Sequence, residues 1–89
     1  MPKIVITHHV KDVEKWLKAK AERAKHIGHL GGTNIVDHVA ADGSNTVAVT
    51  ADVSDPAAVA KAVAAPPADL AAAMEEHGVV PPVTVHVEK

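Results

Sequence analysis

With 89 residues and a net charge of -2 when its histidines are neutral, the chain has the size of one domain, residues 1–89, and lacks the cationic surface of a nucleic-acid-binding protein. The absence of cysteine excludes disulfides, thiolate metal sites and cysteine nucleophiles. Hydrophobic residues make up 47% of the chain but include one Trp and no Phe or Tyr, so the core must consist mainly of small aliphatic side chains. Each of these buries less apolar surface than a large side chain would, so we expect a dimer to supply further burial.

Strand and helix patterns follow one another in the order β-α-β-β-α-β. The predicted elements cover residues 3–9, 12–28, 34–41, 46–53, 56–77 and 83–88. Asp12 offers an N-cap to the first helix, and Gly28 makes its continuation costly. The Asp-Gly-Ser-Asn turn at 42–45 joins the second and third strands as an antiparallel hairpin. Pro66 and Pro67 divide the second helical region into two segments.

This order is the split pattern of the ferredoxin-like fold, an α+β sandwich with an antiparallel four-stranded sheet. Strands one and three are predicted to lie in its centre, and both helical regions to cover one face. On strand one, Ile4, Ile6 and His8 alternate with smaller or more polar residues. We assign this bulkier row to the face that the helices cover.

The opposite face of the sheet has no helix to cover it. Its row on the central strands consists of the small residues Val5, Thr7, Ala48 and Thr50. Small side chains allow a second sheet to approach to about 10 Å across a two-fold axis. We therefore expect the chain to have itself as a partner, in a homodimer whose two sheets close into an α+β barrel.

Four segments of the chain resemble corresponding segments of a known superfamily. They are the opening strand that reaches His8 and leads through Lys11-Asp12 to Trp16, the turn at 42–45, the PPADL start of the late helix, and GVVPPV before the last strand. With these segments the chain resembles the dimeric α+β barrel superfamily, in particular small members related to antibiotic-biosynthesis monooxygenases or cyclases. The resemblance implies a homodimer with a cleft in each subunit, between the helices and the sheet.

The cleft that the resemblance implies is mainly aliphatic and contains His8, the candidate catalytic residue. The expected lining residues are Ile4, Ile6, Trp16, Val49, Ala51, Val53, Leu70, Met74 and His77. Apolar neighbours would desolvate the imidazole of His8, lower its pKa and leave it able to accept a proton near pH 7. The alternative is a structural histidine hydrogen-bonded to the Lys11-Asp12 turn. Trp16 is either a core residue or an aromatic wall of the cleft.

The remaining histidines do not predict a metal site. Adjacent strand residues point to opposite faces, so His8 and His9 cannot chelate one ion. His26 and His29 have H-x-x-H spacing, but a histidine near a helix C-terminus is explained by the macrodipole. His77 has two interpretations: it completes the cleft opposite His8, or it caps its own helix.

No cofactor is expected. In haem-degrading members of the superfamily a strand-one asparagine, a tryptophan that ends strand three and a late-helix histidine are important. The resemblance places His8, Val53 and Met74 at those positions, and all three depart from the pattern. No segment approaches 18 consecutive apolar residues, so we expect no membrane partner and a cytoplasmic location.

Two functions from different classes remain after these observations. The first is binding, or cofactor-independent conversion of the monooxygenase or cyclase/isomerase type, of a small organic molecule in the histidine-containing cleft. The alternative is a non-catalytic dimeric structural or interaction module. The sequence does not indicate which ligand a small-molecule function would use. For the interaction module, it indicates no partner other than a second copy of the chain.

Overall fold

The computed structural model describes residues 2–89, in which four strands form one sheet and four helices pack against it. The elements are β1 (Lys3–Val10), α1 (Val13–Lys18), α2 (Lys20–His29), β2 (Thr33–Val39), β3 (Thr46–Asp52), α3 (Pro56–Ala64), α4 (Ala68–Glu76) and β4 (Val79–Val87). The strand order is β2-β3-β1-β4, and each neighbouring pair is antiparallel. The ferredoxin-like arrangement and the central place of the first and third strands are therefore confirmed.

The first helical region is divided in two, whereas the sequence predicts one helix. Asp12 caps α1 as expected, and its Oδ1 accepts a hydrogen bond from the backbone N–H of Lys15 at 3.3 Å. Ala19 then separates α1 from α2. Gly28 does not end the helix, because α2 continues through it to His29 and turns away at Gly31, whose φ is +85°.

The last strand begins earlier than the sequence predicts. β4 starts at Val79 rather than at residue 83, and Pro81 and Pro82 lie inside it. The register of β1 against β4 shifts between Thr7 and His9, opposite these prolines. An edge strand accommodates proline because one side of its backbone has no strand to pair with.

The two central strands bury alternate residues. The buried rows are Ile4, Ile6, His8 and Val10 on β1, and Val47, Val49 and Ala51 on β3. They pack against Trp16, Ile27 and Val59 of the helices in one core cluster. The assignment of the bulkier rows to the helical face is therefore confirmed.

The opposite row of the sheet is only partly buried. Val5, Thr7, Ala48 and Thr50 form this row on the central strands, with Val5 opposite Thr50 and Thr7 opposite Ala48. We call it the open sheet face.

No helix among residues 2–89 is long and apolar enough to cross a membrane.

Candidate functional site

A cavity of about 80 Å³ lies between the helices and the sheet, partly enclosed and partly open to solvent. Its accessible wall is almost wholly apolar. The four polar or charged side chains that line it are His8, Arg23, His26 and His77. These four decide what the cavity can do chemically, because the apolar residues that line the rest of the wall supply only shape and desolvation.

Most of the residues predicted to line the cleft lie on the wall of this cavity. They are Ile6, His8, Trp16, Val49, Leu70, Met74 and His77. Ile4, Ala51 and Val53 are fully buried but do not contribute to the wall. The Ile4–Ala51 pair lies two residues along the sheet from the Ile6–Val49 pair and on the same face, so it packs in the core beside the cavity.

His8 is held by its own chain neighbour. Its Nδ1 lies 3.0 Å from the backbone oxygen of His9. A carbonyl oxygen only accepts hydrogen bonds, so Nδ1 carries the proton of the neutral ring and Nε2 is an acceptor. The ring therefore bonds to His9 and not to the Lys11-Asp12 turn that the structural alternative named. In that turn the Lys11 N–H donates to the carbonyl of Gly78, and the Asp12 carboxylate caps α1.

The environment of His8 opposes its protonation. The side chain is buried, and this burial is the largest cause that lowers its pKa below the ordinary 6.5. The hydrogen bond to His9 raises the pKa in part, while the nearby charge of Arg23 lowers it further. His8 is therefore a neutral imidazole at pH 7, and none of the residues from 2 to 89 forms a hydrogen bond with its Nε2.

Arg23 is the main functional-site residue that the sequence interpretation missed. Its Nε and Nη2 donate to the two carboxylate oxygens of Asp37 at 3.1 and 2.8 Å, and Nη1 donates to the Trp16 carbonyl at 2.9 Å. The guanidinium carbon lies 3.8 Å from the centroid of the Trp16 ring. The seven-residue spacing from Trp16 could have indicated that Arg23 shares its helical face.

These contacts commit Arg23 to structure. Its side chain and that of Asp37 are 10% and 5% exposed, so the bidentate pair ties α2 to β2 in a largely dry environment. Trp16 is fully buried, and its indole Nε1 has no hydrogen-bond partner within residues 2–89. Its ring meets that of His8 edge to face, with 6.1 Å between centroids. Arg23 and Trp16 therefore form a fixed wall behind His8.

His77 lies both at the end of its helix and on the wall of the cavity. It occupies the C-cap position of α4, and its side chain is also buried and lines the cavity. Its Nε2 lies 3.3 Å from Oε2 of Glu22 on α2. His26 lies one helical turn after Glu22, with its Nε2 4.0 Å from the other carboxylate oxygen. Glu22 and His77 are 55 positions apart in the chain, which explains why the sequence gave no sign of this contact.

Across the described residues 2–89, no three side chains of the His, Asp, Glu or Cys types are grouped so that they could hold a metal ion. The three residues at the positions that are important in haem-degrading relatives do not share one environment. His8 and Met74 line the cavity, whereas Val53 is a fully buried core residue.

Comparison with known proteins identifies the fold. No family model matches the chain, and no curated protein matches its sequence. Among solved structures, the chain is similar to the crystal structure of an antibiotic biosynthesis monooxygenase, with a TM-score of 0.64 and 14% identity. The alignment covers 100% of this chain and 97% of that one. The resemblance to this group is confirmed for the fold: the chain has the ferredoxin-like α+β fold of an antibiotic biosynthesis monooxygenase.

Proposed function

We propose that the protein binds a small, mainly apolar organic molecule in the cavity and that His8 takes a proton from it. The proposal rests on one observation: His8 is a buried, neutral imidazole on an apolar wall, and no residue from 2 to 89 forms a hydrogen bond with its Nε2. A base of this kind accepts a proton near pH 7 without a cofactor. The fold of the monooxygenase neighbour supports the same class of function.

Proton removal suits both reaction types that the proposal includes. An organic molecule becomes an electron-rich anion when it loses a proton, and this anion can either isomerise or react with oxygen without a cofactor. The apolar wall strengthens the interaction of the anion with the newly charged His8, because charges attract more strongly where water is excluded. We therefore propose a cofactor-independent enzyme of the isomerase or monooxygenase type.

The cavity limits the size of the ligand. Its volume of about 80 Å³ is roughly half that of an engineered apolar cavity of ~150 Å³ that binds benzene. A ligand larger than this requires a side chain of the wall to move. Met74 is partly buried and unbranched, so it adjusts at low cost. The proposed ligand is therefore a compound of a few heavy atoms, or a single ring that enters when Met74 moves aside.

A homodimer is part of the proposal. The open sheet face places Val5 and Ala48 among polar groups in the middle of the sheet, where a monomer leaves them in contact with water. A second copy, packed face to face, would cover them. A dimer also supplies the burial that a core without Phe or Tyr lacks. Cytoplasmic location stays a prediction from the sequence.

Binding can be tested by filling the cavity. Ala73 is 5% exposed and lines it, whereas its neighbour Ala72 is exposed and does not. We expect phenol, used as a probe, to shift the amide NMR signals of cavity residues in the wild type and in Ala72→Leu. Ala73→Leu should abolish these shifts, because its larger side chain occupies the space.

The fold of each variant is checked by its amide spectrum without phenol, and Ala73→Val replaces Ala73→Leu if the latter is unfolded. Absence of phenol-dependent shifts at cavity residues in the wild type would contradict the proposed function and favour the non-catalytic interaction module. Unchanged shifts in a folded Ala73 variant would place the phenol elsewhere and contradict it as well.

A further inference from the structure

We propose that His77 and Glu22 form a second proton-transfer group of the cavity, and that the substrate is an enolisable carbonyl compound. This inference rests on the proposed function, because it takes the cavity as the ligand site and His8 as a proton acceptor. It adds a partner for His8 and narrows the chemical class of the ligand.

The first observation is the pairing of a buried histidine with a carboxylate. The His77 side chain is 7% exposed and lines the cavity, and its Nε2 lies within hydrogen-bond distance of Oε2 of Glu22, at 3.3 Å. A carboxylate only accepts, so Nε2 carries the proton of this bond. The remaining nitrogen, Nδ1, has no hydrogen bond with any residue that the structure describes.

The second observation is the rigid support of His77. Its backbone N–H donates to the carbonyl of Ala73 at 2.9 Å. Gly78 follows with a φ of +75°, and its carbonyl accepts from the Lys11 N–H at 2.9 Å. Lys11 comes three residues after His8, so one backbone junction fixes both histidines against the same cavity. A fixed imidazole loses little entropy when it meets a ligand.

Glu22 serves His77 rather than His26. The Glu22–His26 separation of 4.0 Å exceeds hydrogen-bond distance, and the Glu22–His77 separation of 3.3 Å does not. A carboxylate that accepts from one imidazole nitrogen fixes the tautomer and orientation of the ring and stabilises the imidazolium form. Glu22 is therefore a positioning residue, and His77 is the group that exchanges a proton with the ligand through Nδ1.

One neutral histidine and one protonated histidine can together interconvert a ketone and its enol. His8 Nε2 takes the proton from the carbon next to the carbonyl, and the electron pair of that C–H bond forms the C–C double bond. The carbonyl π electrons move to oxygen, which receives the Nδ1 proton of the His77 imidazolium. His8 ends protonated and His77 neutral, and each exchanges its proton with water to restore the starting state. No oxidant or reductant is consumed.

The test uses acetylacetone, a small enolisable diketone. Exchange of its central protons in deuterated water is followed by proton NMR, and the buffer rate is subtracted. We expect the wild type to accelerate exchange and both His8→Gln and His77→Gln to lower the accelerated rate about 100-fold, a typical contribution of one acid or base. Glu22→Gln should lower it about tenfold, less than the ~10⁴-fold measured for a buried orienting carboxylate, because Glu22 is half exposed.

His29→Gln and Glu14→Gln are the matched controls, because both residues are exposed and lie outside the cavity wall. Neither should change the exchange rate. A second readout is the nitrogen-15 NMR spectrum of His77, recorded at a pH high enough for its ring to be neutral. It should show the Nε2–H tautomer in the wild type and a mixture of tautomers in Glu22→Gln. A purely structural role of Glu22 would leave this tautomer signature unchanged in a folded variant.

The outcomes separate this inference from the proposed function. Phenol binding in the cavity together with full exchange activity in His77→Gln or Glu22→Gln would overturn the His77–Glu22 inference and leave the proposed function standing. A wild type that binds phenol but does not accelerate exchange would also overturn it. Failure of phenol to bind contradicts the proposed function by a measurement that does not depend on His77.

Discussion

The polar side chains of the cavity differ in how much hydrogen-bonding capacity they retain. Arg23 uses three of its nitrogens on Asp37 and on the Trp16 carbonyl, so little remains for a ligand. His8 and His77 each use one nitrogen on a protein oxygen. A buried arginine would otherwise be the first candidate for an anion site. Because Arg23 is fully engaged, the groups that retain a nitrogen for a ligand are the imidazoles of His8 and His77.

The stability of the protein should depend on pH through His8. Its folded-state pKa lies below the ordinary 6.5, so between these two values the unfolded chain binds more protons than the folded one. The free energy of unfolding should therefore fall as the pH drops below about 6.5 and level off below the folded-state pKa. Urea unfolding from about pH 7.5 to about pH 5 measures this slope.

The comparison that isolates His8 is His8→Gln, which should show a smaller loss of stability over the same pH range. His29→Gln, with an exposed side chain, should keep the slope of the wild type. Equal slopes in the wild type and in His8→Gln would mean that burial does not disfavour the charged form of this residue.

Among the elements, two of the glycines in α2 and the turn after it, Gly28 and Gly32, have opposite roles. A Cβ added at Gly28, inside the helix, would meet no atom within 4 Å. At Gly32 the same Cβ would lie 2.5 Å from Cγ2 and 3.0 Å from the backbone oxygen of Ile27. Ile27 belongs to the core, so it has little room to move.

We expect Gly28→Ala to raise the free energy of unfolding by about 0.5 to 1 kcal/mol, since alanine is the better helix former. Gly32→Ala should lower it by about 1 to 3 kcal/mol, the usual cost of overpacking. Urea unfolding of the two variants measures both changes. If Gly32→Ala were as stable as the wild type, the turn could not be packed as closely on Ile27 as the structure has it.

Local sequence patterns predict the elements of this fold well, since alternation on a strand and caps on a helix are short-range features. The alternation of Ile4, Ile6 and His8 on β1, and the cap at Asp12, are examples. The patterns fail where tertiary contacts decide. β4 begins at Val79 because it pairs with Val10, a partner that is distant in sequence.

The candidate site could be predicted only in part for the same reason. The faces of single elements bring His8, Trp16 and Met74 to the cavity wall. The pairs that set its chemistry, Arg23 with Asp37 and Glu22 with His77, join different elements. The local sequence of α2 does not predict which residues of other elements Glu22 and Arg23 will contact.

At the scale of the whole molecule, the open sheet face determines the assembly that we propose. Its centre is formed by small residues, among them Thr7 and Ala48, which face each other on the two central strands. Polar groups lie on the same face, including His38, whose Nε2 is 3.1 Å from the hydroxyl of Thr50. A face of this mixed character is usual for the interface of two packed copies.

The proposed dimer should be lost when a large charge is placed at its centre. We expect light scattering to give about twice 9.2 kDa for the wild type and 9.2 kDa for Ala48→Arg, because a buried unpaired arginine is strongly unfavourable at an interface. Ala72→Arg, on an exposed position of α4, should remain dimeric. A monomeric wild type, or a dimeric Ala48→Arg, would show that the copies do not meet through this face.

Trp16 has a consequence for how the protein can be observed. It is the only aromatic residue among Trp, Tyr and Phe in the chain, so all of the ultraviolet fluorescence of the protein originates from one indole ring. That ring lies on the cavity wall, beside a guanidinium at 3.8 Å and a histidine at 6.1 Å. The emission is therefore free of tyrosine background and sensitive to the proton on His8 and to an occupant of the cavity. The unlabelled protein is its own optical sensor for the site.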